Sequence, residues 1–559
     1  MFEVADIADA EAPGSPAPRR AVTPGLLVLH GNRLELLQQA VAEWLRRQPL
    51  DPLESDVLLV QSNGIAEWMK MALARHGGVC AATRVELPAR FLWRLYRAML
   101  GRAGAPPRSP LDKAPMTWRL MRALPDWLDR PGFEPLAQFL GAGAAAGEAP
   151  GDLTRRLQLA ERLADLFDQY QIYRADWLDA WAHGREVLVR ADGTEAPLPD
   201  EQRWQARLWR ALLDGLDPAE RPAVRSDVHR RFVAAIRAGA APHQPLPRRV
   251  VLFGHSHLPW QTLEALTTLA ERAQVLLVVP NPCRFHWADI IDGRELLRAP
   301  RRRQPLRGGV DLADVPLEHL HAQAHPLLAA WGRQGRDFIR LLDRFDDAAA
   351  ARARFELPRI DLFDDEADAE DAPGGVPLLV RVQRAVRDGL PMAELTAREC
   401  TAPPLPDDDR SIVFTVAHSA LREVEILHDQ LLDWLATPPR GPDGRDGAPL
   451  APRDIVVMVP DIEPWAPLIH AVFGQHGVGD ARRIPYEIAD LKLRGRQPML
   501  VALEWLLRIT EQRCTATELR DLIDVPALAA RFGLREADRA TAARWLGGAG
   551  VRWGLDAAQ

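Results

Sequence analysis

Short uninterrupted apolar runs alternate, near the start of the chain, with stretches whose apolar residues recur every three or four positions. The runs are Leu26–His30 and Val57–Val60. A polar turn closes each one: His30-Gly31-Asn32-Arg33 after the first, Gln61-Ser62-Asn63-Gly64 after the second. Leu34–Arg47, Ile65–His76 and Ala89–Leu100 carry the helical period, and Val79–Leu87 reads as extended. Apolar strands alternating with helices predict an α/β fold with a parallel sheet, because crossover helices cover both faces of such strands. From about Met116 to Gly239 the pattern is almost wholly helical, clearest at Leu157–Tyr173, Gln202–Gly215 and Asp227–Ala238. Strands return at Arg249–Phe253 and Val275–Val279, with a helix from Trp260 between them. The expectation is one α/β domain over residues 25–358, interrupted by a large helical insertion at about 101–245.

Asp361–Asp371 holds seven acids and no base, and Ala-Pro-Gly-Gly follows it. Such a segment cannot bury a core, so residues 359–375 are expected to be an acidic linker. A second α/β series is expected over 376–559. Its strands would be Ile412–Val416, Ile455–Val459 and Tyr486–Ile488. Its helices would be Leu421–Leu435, Trp465–Gly474, Met499–Ile509 and Ala516–Leu546. Residues 1–24 read as a disordered tail. They have acids where a signal peptide carries bases, and no apolar core segment.

Composition narrows the function classes. The chain has 559 residues, 47% hydrophobic and 26% charged, and no run of 18 apolar residues, so no membrane span is expected. The net charge of −7 equals the seven acids of Asp361–Asp371, so the rest of the chain is neutral and a local arginine-lined channel for DNA remains open. Cys80, Cys283, Cys400 and Cys514 form no CxxC pair, which fits a reducing cytoplasm and argues against structural zinc. Among the 70 basic residues only Lys70, Lys113 and Lys492 are lysines, and none precedes Ser or Thr. A P-loop needs that pair, since the amine reaches the phosphates and the hydroxyl holds Mg²⁺. Walker-type ATP hydrolysis is therefore not expected. The 17 tryptophans, among them Trp44, Trp68, Trp118 and Trp127, fall at helix-compatible positions that suit core packing, and a few exposed ones would suit base stacking.

Several short motifs invite an enzymatic reading. Val250–Leu258 is an apolar strand ending in Gly254-His255-Ser256-His257, close to a serine-hydrolase elbow, but its second glycine is missing. Asp480 with Asp490-Leu491-Lys492 is a loose match to a metal-dependent nuclease. His319, His321 and His325 cluster without supporting acids or cysteines, so a solvated segment is the better reading. Arg298, Arg301, Arg302, Arg303 and Arg307 form a basic loop that suits phosphates or plain solvation equally.

Taken together, ordered blocks along the chain resemble the RecC family, the gamma subunit of the bacterial exodeoxyribonuclease V helicase–nuclease. They begin with His30-Gly31-Asn32-Arg33-Leu34 and Leu58–Trp68, the latter like the family's L-V-Q-S-x-G-x-A-x-W. They continue with Leu87–Trp93, Ala164–Tyr170 with Tyr173-Arg174, and Asn281-Pro282-Cys283-Arg284 with Trp287. His418-Ser419 with Arg422–Glu425, and Val551-Arg552-Trp553-Gly554, complete the series. The resemblance implies superfamily 1 helicase-like domains of P-loop type that lack the ATPase motifs, in agreement with the lysine pattern. It implies a non-catalytic subunit that splits duplex DNA and scans the 3′-ended strand for a Chi-type sequence. Partners would be duplex ends, single strands, and the alpha and beta subunits (RecD and RecB), which would use ATP and Mg²⁺; this chain would bind no cofactor or metal. Carried over by position, the scanning channel would include Gln61, Asn63, Glu67, Leu87, Trp93, Asp165, Leu166, Asp168, Gln169, Arg174 and Arg225. Asn63 stands where the family pattern has threonine and Glu67 where it has glutamine, and Glu67 thereby loses an amide donor. Family members are about twice as long, so an amino-terminal portion is expected. Two other readings stay open: a generic single-strand-binding scaffold and a serine hydrolase centred on Ser256.

Overall fold

The computed structural model describes residues 21–140, 150–189, 194–285, 287, 325–356, 361–363, 375–437, 449–489, 491 and 497–554. The chain divides into two compact units, one running through residue 409 and one from residue 410.

The first unit is built on a parallel sheet. Its early elements are β1 (Gly25–Gly31), α1 (Leu34–Arg47), β2 (Asp56–Leu59), α2 (Asn63–Gly77), β3 (Thr83–Glu86) and α3 (Pro88–Gly104). Then come α4 (Lys113–Ala123), α5 (Glu134–Leu140), α6 (Pro150–Tyr173) and α7 (Ala175–Ala182). A two-stranded ribbon of β4 (Val187–Val189) and β5 (Glu195–Pro197) precedes α8 (Arg203–Asp214) and α9 (Arg225–Arg237). The chain returns to the sheet through β6 (Arg249–Phe253), α10 (Trp260–Leu269) and β7 (Gln274–Pro280). The unit closes with α11 (Pro326–Trp331), α12 (Arg333–Leu342), α13 (Ala348–Phe355), β8 (Asp361–Leu362), α14 (Leu378–Arg387) and α15 (Met392–Thr401). The sheet order is β3-β2-β6-β7-β1-β8, and every pair in it is parallel.

Strand side chains alternate between two cores, as the pleat requires. Val28, Val57, Leu59, Val250, Leu252 and Leu277 pack under α3, α9 and α10. Leu27, Leu58, Val251, Phe253 and Leu276 pack under α1, α2 and α13. Helices α4–α8 bury a separate core around Met116, Leu120, Phe133, Phe167, Trp181 and Trp209. This is the helical insertion, and it is tied back to the sheet by α9. Its Phe232 lies 5.0 Å from Tyr96 of α3. Tyr96 Oη meets His229 Nδ1 at 2.8 Å, and His229 Nε2 meets Glu264 of α10 at 3.0 Å. Of the tryptophans expected in cores, Trp44, Trp68, Trp93 and Trp127 are half-buried, while Trp118 is exposed.

The foot of the sheet is held by a buried charge. Arg249 has no solvent exposure. Its Nη1 pairs with Asp56 Oδ1 at 3.0 Å, its Nε donates to Gln274 Oε1 at 2.7 Å, and Nη2 donates to the Gln48 carbonyl. The same Gln274 oxygen accepts from Trp44 Nε1 at 3.0 Å. Burial pushes the Asp56 carboxyl above its usual range, against the pull of Arg249.

The sequence-based reading needs correcting at the linker and in the second half. Asp361 and Leu362, assigned to the linker, form β8 against β1, and residues 364–374 lie outside the described residues. Helices α14 and α15, assigned to a second domain, belong to the first unit. The segment after β7 holds the end of α14: Arg284 Nε lies 3.1 Å from Asp388, the residue capping α14, and the Arg284 N–H donates to the Arg387 carbonyl at 3.0 Å.

In the second unit, α16 (Ala420–Ala436) and α17 (Ile462–Phe473) pack around Val424, Leu431, Val472 and Ile484. Four helices follow at Pro498–Leu507, Ala516–Asp524, Pro526–Arg531 and Glu536–Gly548. The single helix expected over Ala516–Leu546 is broken at Pro526, which has no N–H, and at Gly533, whose φ of +68° leaves the helical region. Ile412–Val416, Ile455–Val459 and Tyr486–Ile488 form no strand ladder among the described residues. Phe414, Val416, Val456 and Met458 are instead exposed. Short β-branched apolar runs report a local preference for extended backbone, whereas a strand also needs a hydrogen-bonded neighbour.

Two outcomes follow from the buried groups of the first unit. Arg249→Ala should destabilise its unfolding transition by about 3–5 kcal/mol in denaturant titrations, because it strands the Asp56 charge. Arg249→Met should cost less than Ala when combined with Asp56→Leu. His255, buried on the turn after β6, has its imidazole pushed down to about 4 by desolvation, with His257 adding repulsion. Below its ordinary pKa the unfolded chain takes up a proton that the folded chain refuses. Stability from this group is thus complete above about pH 6.5 and is lost as pH falls toward 4, on the order of 3 kcal/mol in all. Melting temperatures of wild type and His255→Asn across that window should converge as pH falls.

Candidate nucleic-acid interface

Polar turns follow β2 and β3 at the carboxyl ends of adjacent parallel strands, the edge where open α/β sheets place their ligands. The Val60 N–H donates to the Glu86 carbonyl at 3.2 Å and keeps the two ends side by side. Ser62 caps α2 by accepting from the Ile65 N–H at 3.3 Å, which leaves Gln61 and Asn63 exposed on the turn. Glu67, one turn further, is exposed and pairs with Lys70 at 2.8 Å. Leu87 is the residue before Pro88 and stands 47% exposed at the start of α3. Trp93 is half-buried, edge-to-face with Tyr96 at 5.9 Å.

A second group forms in the insertion. Arg225, first residue of α9, donates to Asp112 Oδ1 at 2.7 and 3.0 Å and lies 3.0 Å from Asp168 Oδ1 on α6. Lys113 pairs with Asp165 one turn away on the same helix. Leu166 is half-buried and Gln169 exposed. Arg174, just past α6, lies flat on Trp177 with its guanidinium 3.8 Å from the ring centroid. It bonds Asp176 at 2.8 and 3.0 Å and the Val189 carbonyl. The fold therefore joins Arg225 to Asp168, pairs Asp165 one turn away with Lys113, and sets Gln61, Asn63 and Leu87 along one sheet edge, with Arg174 in a third cluster.

Sequence reasoning missed Asp112 and Lys113, which orient three of these residues. It also missed Arg90, Arg94 and Arg97, whose i, i+4, i+7 spacing puts three cations on one face of α3. That spacing was readable, but the surrounding resemblance drew attention to Leu87 and Trp93 instead.

The place of a phosphate loop after β1 is filled. His30 is buried, its Nδ1 accepts from Asn281 Nδ2 at 3.1 Å, and the Asn281 N–H donates to the Gly31 carbonyl at 2.8 Å. A Cβ on Gly31 would meet the Leu362 carbonyl oxygen at 2.6 Å, so β8 closes tightly over this strand end.

The serine-hydrolase motif does not assemble among the described residues. Gly254, at φ +74°, takes the strained position after β6, and Ser256 is not among the non-glycine residues with positive φ. Ser256 Oγ is 3.5 Å from His257 Nδ1, too long for an activated nucleophile. Asp480 is held well below the ordinary carboxylate range by Arg482 and His476, its partners at 3.0 and 3.2 Å, while Asp490 and Lys492 lie outside the described residues. His325 is buried and caps α11 through the Leu327 N–H at 3.2 Å; His319, His321 and Arg298–Arg307 lie outside the described residues. No group of three or more His, Cys, Asp or Glu among the described residues is placed to hold a metal ion, and no described helix is long and apolar enough to cross a membrane.

Comparison with known proteins supplies the family. Residues 26–388 match the family described as RecC, N-terminal domain, and residues 496–559 match the RecBCD enzyme subunit RecC fourth domain. Among curated proteins, the RecBCD enzyme subunit RecC of Escherichia coli K12 is 34% identical over 547 residues, covering 95% of this chain and 45% of that protein. That of Haemophilus influenzae is 31% identical, covering 95% and 46%, and that of Mycobacterium tuberculosis H37Rv is 32% identical, covering 95% and 43%. The chain thus spans somewhat under half the length of the curated relatives it matches. The family match over residues 26–388, which take in the sheet and the insertion, places it plainly: this chain belongs to the RecC family.

Proposed function

We propose that the chain is the DNA-recognition portion of a RecC-type subunit, working within an exodeoxyribonuclease V complex on double-strand breaks in the cytoplasm. Its two units would be superfamily 1 helicase-like domains that no longer bind ATP. ATP, Mg²⁺ and strand cleavage would belong to the alpha and beta partners, and this subunit would split the duplex and scan the 3′-ended strand. The observation that carries the reading is the sheet edge. Exposed amides and an aromatic side chain line the carboxyl ends of β2 and β3, while the strand end that would take a nucleotide phosphate is closed by His30, Asn281 and β8. Gln61 and Asn63 have the donor and acceptor pair that reads base edges, and Leu87 and Trp93 present surfaces for stacking. Arg225 can meet a base only by loosening its hold on Asp168, so that pair would act as an exchange: a guanine edge for a carboxylate.

A generic single-strand scaffold is the second reading. It is favoured by Glu67, Asp165 and Asp168 already being engaged in ion pairs, which leaves fewer groups to discriminate bases.

The test uses the reconstituted complex and the purified chain. Chi-containing strands should bind the complex more tightly than scrambled strands, and Trp93→Ala or Gln61→Ala should erase about 1–3 kcal/mol of that difference. Equal affinity for both strands in the wild type would select the generic scaffold. The purified chain should hydrolyse no ATP with or without DNA; sustained turnover there would overturn the division of labour.

A further inference from the structure

A cavity of about 370 Å³ opens between β3, α3 and the loop before β6. Five arginines line it, Arg84, Arg90, Arg94, Arg97 and Arg102, against a single carboxylate, Glu86. Glu86 is nearly buried and serves two of them: Arg94 bonds it directly and Arg84 Nε stands 3.5 Å away. Arg90 and Arg102 have no carboxylate partner among the described residues, and Arg97 donates only to the Trp93 carbonyl, at 3.4 Å. Arg94 Nε is buried without a hydrogen-bond partner among the described residues.

The fold spends effort on this convergence. Arg90, Arg94 and Arg97 share one face of α3 by helical spacing. Gly101 breaks the helix at φ +74°, and this turn brings Arg102 to the same cavity. A Cβ at Gly101 would press on the His243 ring at 3.3 Å, so the following loop lies close against the kink. The Gln244 N–H donates to the Ala98 carbonyl at 2.9 Å, and Gln244 closes one wall with a neutral amide. Like charges gathered in a partly desolvated hollow repel one another, and a bound polyanion removes that repulsion. Guanidinium forks match phosphate oxygens in particular.

We propose that this cavity holds phosphate groups, and that in the working protein they are backbone phosphates of a single DNA strand. The choice of DNA rests on the function proposed above and on position. Glu86 immediately precedes Leu87, and Trp93 sits between Arg90 and Arg94 on α3. A strand whose bases meet Leu87 and Trp93 would lay its phosphates over the arginines. Positioning of this kind is sequence-independent, so it complements the amide-bearing turn after β2.

The test titrates the full 559-residue chain with two probes, a fluorescent oligo-dT followed by anisotropy across a salt series and inorganic tripolyphosphate followed by calorimetry. The variants are Arg90→Ala/Arg97→Ala and, as a control, Arg130→Ala in the insertion, with melting temperatures checked for all. Because neither Arg90 nor Arg97 is ion-paired among the described residues, the double variant should melt with the wild type. It should bind oligo-dT about tenfold or more weakly, with the salt slope reduced by roughly 1.4 for two lost single-strand phosphate contacts, and should lose tripolyphosphate binding. Unchanged affinity and slope for oligo-dT would overturn the assignment to the DNA backbone while leaving the proposed function standing. Tripolyphosphate binding that depends on Arg90 and Arg97, in a wild type that ignores oligo-dT, would keep the phosphate site and reject the single-strand reading. Failure of the wild type to bind either probe would overturn both.

Discussion

Arg249 is a charge sealed at the foot of a parallel sheet, and much of the first unit is organised around satisfying it. Its guanidinium reaches Asp56 at the start of β2, Gln274 at the start of β7 and the Gln48 carbonyl at the end of α1. Three elements distant in sequence are thereby registered at one end of the sheet. A buried ion pair is not a large source of net stability, because the cost of desolvation offsets most of the attraction. Its effect is on choice: any register that separates Arg249 from Asp56 leaves two unpaired charges in a low-dielectric interior. With the amino ends of the strands fixed in this way, the turns at their carboxyl ends are free to carry polar and exposed side chains.

Those carboxyl ends are used unequally. The end of β1 is closed by His30, Asn281 and the Leu362 carbonyl, so no anion can approach the backbone there. The ends of β2 and β3 are open and carry Gln61, Asn63, Leu87 and, along α3, alternating aromatic and arginine side chains. The helical insertion contributes from its own core, and its Arg225–Asp168 and Lys113–Asp165 pairs hold charged groups in reserve at moderate exposure.

Much of the first unit was legible because β1, β2, β6 and β7 are almost wholly buried and the helices beside them cover their faces. Leu26–His30, Val57–Val60 and Arg249–Phe253 were found from unbroken apolar runs, and the structure extends or trims them by only a few residues. The helix over Asp227–Ala238 was likewise readable, beginning in fact at Arg225. The second unit was misread at Ile412–Val416 and Ile455–Val459 because a short β-branched apolar run reports what a backbone prefers, and nothing in a local pattern says whether a neighbouring strand is within reach. Asp361–Leu362 was misread in the opposite direction. Acidic neighbours made it look like solvent-borne linker, yet two residues suffice to pair with the end of β1.

By itself the sequence determined the α/β class, the absence of the Lys-Ser/Thr pair that a nucleotide motor requires, and the ordered blocks by which the family is recognised. These are properties of residue type and spacing, and they survive without any knowledge of contacts. Only the tertiary structure decided which of the candidate residues meet: that Arg225 joins Asp112 to Asp168, that Glu86 serves two arginines, and that β8 closes over Gly31. Each depends on residues far apart in the chain and on the geometry of the space between them. A charge declares itself in the sequence, but its partner is chosen by the fold.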